Sequence, residues 1–199
     1  MRIRKLLLVI AALLMVATLA AACGGSDEEG QAPSDVNAPE TSGTQAQSAE
    51  DKANAPDNPT LDITVPSMER IKDAPVPDTT GDDEDSLRDY VGIHLEGTGF
   101  PWQKEANVYI AGHRLGFPGT NSWLAFWDLN VLHKGDMIYL RDAAGDRYAY
   151  RVFRRFIVGP NQVSVTRPLP GRNIVSLQTC TLPDYSDRLI VQAEKVSKQ

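Results

Sequence analysis

The sequence predicts an all-β domain over residues 61–199, built as a closed antiparallel barrel or a sandwich. Two observations carry this. The stretch Leu61–Lys198 breaks into short β-type segments divided by turn clusters, with little sustained helical periodicity. The other is size: of 199 residues, about 139 remain once an export segment and a linker are set aside, enough for one barrel or sandwich core and too few for a two-domain enzyme. Hydrophobic residues make up 42% and charged residues 23%, which fits one globular domain with polar tails.

Arg2, Arg4 and Lys5 open the chain and the unbroken apolar run Leu6–Ala22 follows, so residues 1–22 read as a bacterial export signal. The run of 17 residues lies at the lower edge of a membrane span, which keeps an uncleaved anchor helix as the second reading. Its ending favours lipidation. Ala20-Ala21-Ala22 precede Cys23-Gly24-Gly25, and acids follow from Asp27. This resembles a bacterial lipoprotein signal, in which Cys23 becomes the lipidated first residue, although Ala20 stands where leucine is usual. Either reading leaves the remainder on the extracytoplasmic face of the cell membrane, anchored to it.

Residues 23–60 are rich in Gly, Ser, Thr, Gln, Ala, Asn and Pro, with Val36 the one large apolar residue before Pro59. Such a composition cannot bury a core, and a disordered linker is expected. The net charge of the chain is −6, but this stretch alone carries −7, the signal +3, and residues 61–199 only −2. The acidity therefore belongs to the linker. A flexible segment of this length spans about 35 Å on average, enough to hold a domain off the bilayer. No clustered Lys/Arg stripe exists for phosphate neutralisation, so nucleic acid is excluded as a general partner.

Candidate strands are Leu61–Val65, Asn107–Ala111, Met137–Arg141, Arg147–Val158, Val163–Thr166, Ile174–Thr179 and Arg188–Val196. In Arg147–Val152 the alternation puts Tyr148, Tyr150 and Val152 on one face, the pattern of a half-buried strand. One or two helical turns are expected from Ser122 as N-cap, with Trp123, Phe126 and Trp127 at helical spacing as core residues.

Two cysteines supply at most half of a four-cysteine zinc site, and no metal or cofactor is expected. With Cys23 consumed by lipid, Cys180 is a lone thiol in an exported domain. It ends the apolar segment Ile174–Thr179 and begins the polar loop Thr181–Asp187. If the flanking strands pair antiparallel across that loop, Cys180 and Arg188 share one rim of the sheet. A buried structural cysteine is the plainer alternative. A thiol of ordinary pKa near 8.5 is only about 3% ionised at pH 7 and needs a base or cation nearby. His113 is the best partner, just past a strand end where Ala111 and Gly112 permit close approach, while His94 and His133 read as structural. Arg188 stays protonated and can donate to a developing oxyanion.

These residues carry a resemblance. Ala111-Gly112-His113-Arg114, Ser176-Leu177-Gln178-Thr179-Cys180 and Arg188-Leu189-Ile190-Val191 resemble, in order and spacing, the His, Cys and Arg motifs of the sortases, cysteine transpeptidases of Gram-positive cell surfaces. The likeness runs through Leu61–Val196 and is greatest to the class E sortases of high-GC Gram-positive bacteria, which bear Tyr at or near Tyr109 and favour a Leu-Ala-x-Thr-Gly signal. It implies an eight-stranded β-barrel with one or two short helices, Cys180 as nucleophile, His113 as general acid/base and Arg188 as oxyanion and substrate clamp. Thr179 would support the substrate beside the thiol, and Tyr109 would line the groove or else lie in the core. The implied partners are surface proteins bearing sorting signals, and a peptidoglycan precursor amine or pilin lysine as acceptor. Ser176 stands where the family usually has Thr, Leu115–Trp127 is unusually aromatic, and Cys23 differs from the usual uncleaved anchor. The alternative from another class is a catalytically inactive surface lipoprotein that uses the barrel to bind peptide or glycan.

Overall fold

A computed structural model of the chain describes residues 49–198, with side chains from 50 to 196. The export run and Cys23 lie outside the described residues. Nine strands form one sheet: β1 Leu61–Thr64, β2 Ala74–Val76, β3 Asp78–Thr79, β4 Ile93–Leu95, β5 Ala106–Ala111, β6 Met137–Asp142, β7 Arg147–Val158, β8 Asn173–Cys180 and β9 Arg188–Lys198. Their spatial order is β2-β1-β6-β7-β9-β8-β5-β4-β3. The two edge strands of that order, β2 and β3, are neighbours in sequence, separated only by Pro77. Before Pro77 the chain pairs with β1, and after it with β4, the Pro77 carbonyl itself accepting from His94 N at 2.8 Å. Proline has no N–H to donate to a ladder, so the switch of partners falls there. The sheet is thus a nearly closed barrel with its seam at Pro77. Taking β2 and β3 as one interrupted strand recovers the expected eight.

The main core fills the barrel interior with Leu61 and Ile63, Val108 and Ile110, Ile138 and Leu140, Val175 and Leu177, and Val191 and Ala193. Tyr148, Tyr150 and Val152 join it, on the face that their alternation predicts. The two tyrosine hydroxyls find acceptors, Asp142 Oδ2 and Asn173 Oδ1, each at 2.8 Å, which removes the cost of burying an unpaired O–H. The β7–β9 ladder has two register shifts, at Ala149/Tyr150 and Val152/Arg154, and beyond the second the alternation of burial is lost.

A second, smaller cluster lies on the outer wall: Tyr109, Ile190 and Val158, flanked by Leu95, Phe156 and Val165. It is covered by the connection between β7 and β8. Part of this connection, Val163–Thr166, is a 3-10 turn and not the expected strand. The Asn107 side chain occupies the backbone carbonyls of Val165 and Arg167, at 2.8 and 3.1 Å, and no neighbouring strand pairs with the segment.

The helical turns expected from Ser122 are absent too. The segment runs as successive turns ending in a 3-10 turn at Leu129–Val131, and Leu124 has a positive φ of 56°. Leu124 N and Phe126 N donate to Leu115 O and His113 O at 2.8 and 3.3 Å, so two of the donors that a helix would need are tied to the chain beside His113. Two short helices do occur elsewhere among the described residues. One, α1 (Ala49–Ala53), falls in the stretch expected as linker, with Asp51 accepting from Lys104 N at 3.0 Å. The other is α2 (Glu84–Asp89), capped by Asp83.

Candidate active site

β8 and β9 pair antiparallel in a register that sets Cys180 directly opposite Arg188. The loop between them is closed by its own hydrogen bonds, Thr181 N to Asp187 O at 3.0 Å and Asp187 N to Thr181 Oγ1 at 3.1 Å. Cys180 is a half-buried free thiol. On β8 the inward side chains, Val175 and Leu177, join the core, while Ser176, Gln178 and Cys180 alternate onto the outer wall. There Gln178 and Cys180 border a groove of about 290 Å³, whose walls also include Tyr109, His113, Arg188 and residues of the β7–β8 connection between Val158 and Thr166. The register sets Cys180 and Arg188 opposite each other, and His113 borders the same groove.

His113 reaches this place because the end of β5 is clasped onto the parallel strand β8. Gly112 N donates to Gln178 O at 3.0 Å, and Thr179 Oγ1 donates to Gly112 O at 2.9 Å. Only glycine fits in this clasp, since a Cβ on Gly112 would stand 2.6 Å from the Val91 carbonyl oxygen and 3.1 Å from Phe126 Cδ2. The His113 ring meets Phe117 edge-on at 5.5 Å, and among the described residues no hydrogen bond holds it. Burial pulls its pKa below the ordinary imidazole value, an effect that the negative charge of Glu84 partly opposes. The neutral ring is therefore favoured, and the cationic form that would protonate a leaving amine is the scarcer one.

Arg188 gives Nη1 to two backbone carbonyls, Tyr185 O at 3.2 Å and Asp187 O at 3.1 Å, and no carboxylate pairs with it among the described residues. Glu194, on the same strand, holds Arg172 with a two-pronged contact at 2.8 and 2.5 Å. The Nε and Nη2 donors of Arg188 remain for an anion or carbonyl oxygen in the groove.

Tyr109 combines both roles offered by the sequence. It is 1% exposed in the outer cluster, yet it borders the groove, and its hydroxyl donates to Gln178 Oε1 at 2.6 Å. Burial raises its pKa well above the ordinary phenol value, with the Arg188 charge opposing. Thr179 departs from the expected substrate contact. It alternates away from Cys180, is 1% exposed, and spends its hydroxyl on Gly112, so it supports the histidine turn. His94 is structural as expected: it is fully buried, with Nδ1 at 2.7 Å from Asp78 Oδ1 and Nε2 at 2.9 Å from Gly99 O. His133 is exposed in a turn away from the groove. The residue that sequence reasoning missed is Gln178. Its spacing of two from Cys180 on a strand was the available signal.

Comparison with known proteins bears on the family and the fold. The family model described as Sortase domain matches residues 63–196. Sortase A of Streptococcus agalactiae serotype III (strain NEM316) is 35% identical over 89 residues, which are 44% of this chain and 35% of that protein. The match thus spans about a third of the curated relative's length. Among solved structures, sortase C-1 from Actinomyces oris aligns with a TM-score of 0.59 at 31% identity, over 70% of this chain and 75% of that one. Sortase C2 of Group B Streptococcus Pilus Island 1 aligns with the same TM-score at 29% identity, over 68% and 72% of the two chains.

Proposed function

The chain belongs to the sortase family, and from that premise we propose that it is a cysteine transpeptidase acting on C-terminal sorting signals outside the cell membrane. In this reading Cys180 is the nucleophile, His113 the general acid and base, and Arg188 the oxyanion donor. The carrying observation is the Cys180–Arg188 register pair in a groove that His113 also borders. The thiolate attacks the Thr carbonyl carbon of a Thr-Gly bond, a C–S bond forms, and the carbonyl oxygen takes the negative charge opposite the Arg188 donors. Collapse breaks the C–N bond, and the leaving amine takes a proton from His113. An acceptor amine then attacks the thioester, gives its proton to His113, and releases Cys180 as thiolate.

The signal is of the Leu-Ala-x-Thr-Gly or Leu-Pro-x-Thr-Gly type, with Ala preferred as in the class E sortases that Tyr109 and the flanking motifs resemble. The substrates are surface proteins carrying that signal, and the acceptor is a peptidoglycan precursor amine or a pilin lysine. The domain is held at the membrane by lipid on Cys23 or by residues 1–22 as an uncleaved anchor, with the stretch to residue 60 as tether. Mass spectrometry of the full-length chain mixed with a Leu-Ala-x-Thr-Gly peptide tests the chemistry. The expected result is an adduct on Cys180 equal to the peptide through its Thr, which an added amine discharges. Peptide that binds without an adduct, and with equal affinity for Cys180→Ala, would return the chain to a binding role.

A further inference from the structure

A second concave surface lies on the β7–β9 ladder, where Arg151 stands opposite Glu194. Together with Lys134, Gly135, Phe153 and Val196 these two residues line a shallow depression of about 490 Å³, which shares no residue with the groove. Phe153 is half-buried and Val196 is 47% exposed, so the floor is apolar and open to solvent. Cations ring it. The guanidinium carbons of Arg172 and Arg154 lie 4.2 and 5.5 Å from the centre of the Phe153 ring, and Lys134 and Arg151 are exposed at the edge. Glu194, the one acid lining the depression, is held by Arg172. Arg154 bonds an uncharged amide oxygen, and no carboxylate pairs with Lys134 or Arg151 among the described residues. Four cations thus face one carboxylate, in a stretch of chain, residues 61–199, whose net charge is −2.

An apolar floor inside a cationic rim matches an amphiphile with an anionic head. Guanidinium forks and an ammonium take phosphate oxygens, while Phe153 and Val196 meet the glycerol and the first methylenes. A soluble phosphate polymer would use the rim and leave the apolar floor uncovered. The course of the chain points the same way. Helix α1, the first described element, is pinned where Lys104 N donates to Asp51 Oδ1 at 3.0 Å. Two residues on, Ala106 N donates to Arg172 O at 3.1 Å, so the chain enters the domain close to the basic rim. We propose that this face docks on the anionic phospholipid headgroups of the bilayer to which the chain is tethered. The inference rests on the membrane tether of the reading above and not on the transpeptidase chemistry. The tether supplies a high local concentration of lipid, so a few cations suffice for docking, and docking fixes how the groove is presented to the membrane.

The test places a probe in the depression. Full-length Val196→Trp is reconstituted in phosphatidylcholine vesicles with and without phosphatidylglycerol, their acyl chains brominated near the glycerol so that a tryptophan in contact is quenched. Wild type supplies the background of the native tryptophans. The added tryptophan should be quenched in the anionic vesicles and not in the neutral ones, and high salt should restore its emission. Lys134→Gln with Arg151→Gln on the same background should lower the docked-to-free ratio about thirtyfold, the worth of two cations at an anionic surface. Thermal unfolding of each variant checks that the fold persists. Flotation separates this claim from the anchor. A chain that floats with both vesicles supports the anchor, and one that floats only with the anionic vesicles supports the face and counts against the anchor. A chain that floats with neither overturns both. Equal quenching in neutral vesicles, or quenching unchanged in the double variant, overturns the proposal. Docking that ignores Phe153→Ser, and that inorganic polyphosphate reproduces in solution, would reassign the face to a phosphate polymer and overturn the lipid assignment.

Discussion

At the scale of single residues, the half-buried state of His113 has consequences for both rate and stability. Its lowered pKa means that, below about pH 6.5, the unfolded chain binds this proton before the folded one does. Stability therefore falls as pH drops through the ordinary histidine value, and this loss is complete below the lowered folded value. His113→Gln should remove that component, seen as a flatter dependence of Tm on pH in this window. For the rate, the acid limb of kcat/KM should have its midpoint below 6.5. Phe117→Ala, which opens the ring to water, should move the limb back up. An acid limb that ignores both substitutions would remove His113 from the titrating chemistry. Arg188 is bound only to carbonyls among the described residues, so its charge is not consumed by a carboxylate. Arg188→Lys keeps the charge and loses the planar fork, and kcat should fall by about a hundredfold, the worth of one oxyanion donor. Loss of binding with unchanged kcat would recast it as a docking residue.

At the scale of elements, the site depends on how the end of β5 is fastened to β8. The clasp consists of Gly112 N to Gln178 O and Thr179 Oγ1 to Gly112 O. Gly112→Ala would drive a methyl group into the Val91 carbonyl and the Phe126 ring. A cost of about 1–3 kcal/mol in urea unfolding is expected, the range for overpacking, together with a fall in kcat as His113 shifts. Thr179→Val removes only the hydroxyl and keeps the shape. It should cost about 1 kcal/mol and lower kcat while leaving KM near wild type. A KM effect alone would instead restore Thr179 to the substrate contact expected from sequence. The motif residues and the antiparallel pairing of the strands around Cys180 were legible in the sequence. The roles of Thr179 and Gln178 were obscured, because both are polar and nearly every residue of β5 and β8 is buried, so residue type at this end of β8 does not separate the inward from the outward face.

For the whole molecule, a row of polar side chains crosses four strands and ties the groove wall to the barrel. Arg154 Nε donates to Gln192 Oε1 at 2.6 Å, Gln192 Nε2 to Ser176 Oγ at 2.9 Å, and Ser176 Oγ to Asn107 Oδ1 at 2.7 Å. Asn107 Nδ2 ends the row on Val165 O and Arg167 O. Ser176, a departure from the family's usual Thr, is thus a fully used donor and acceptor in this chain. Asn107→Ala would leave the Ser176 hydroxyl and two carbonyls without their partner, at a cost of about 1–3 kcal/mol. It should also loosen the connection that walls the groove, raising KM for sorting peptides more than it lowers kcat. Steady-state kinetics with urea unfolding measures both, and an unchanged KM would show that the wall holds without the row.

The sequence by itself determined the all-β class and most strand positions, and it offered Cys180, His113 and Arg188 as candidates that the fold brings to one groove. These follow from local patterning and from motifs whose residues are close in the chain. It could not reveal the seam at Pro77, the 3-10 turn at Val163–Thr166, or the turns that replace a helix after Ser122. Each of these depends on where a backbone donor or acceptor finds its partner. Val165 is held by Asn107, 58 residues away in the chain, and Leu124 by Leu115 on the far side of a tight loop. Local propensity is too weak to oppose such pairings, because a buried backbone group left unpaired costs more than the propensity differences among neighbouring residues. The groove itself, with Gln178 held by Tyr109 across two parallel strands, exists only once the barrel has closed and the β7–β8 connection has folded over its outer wall.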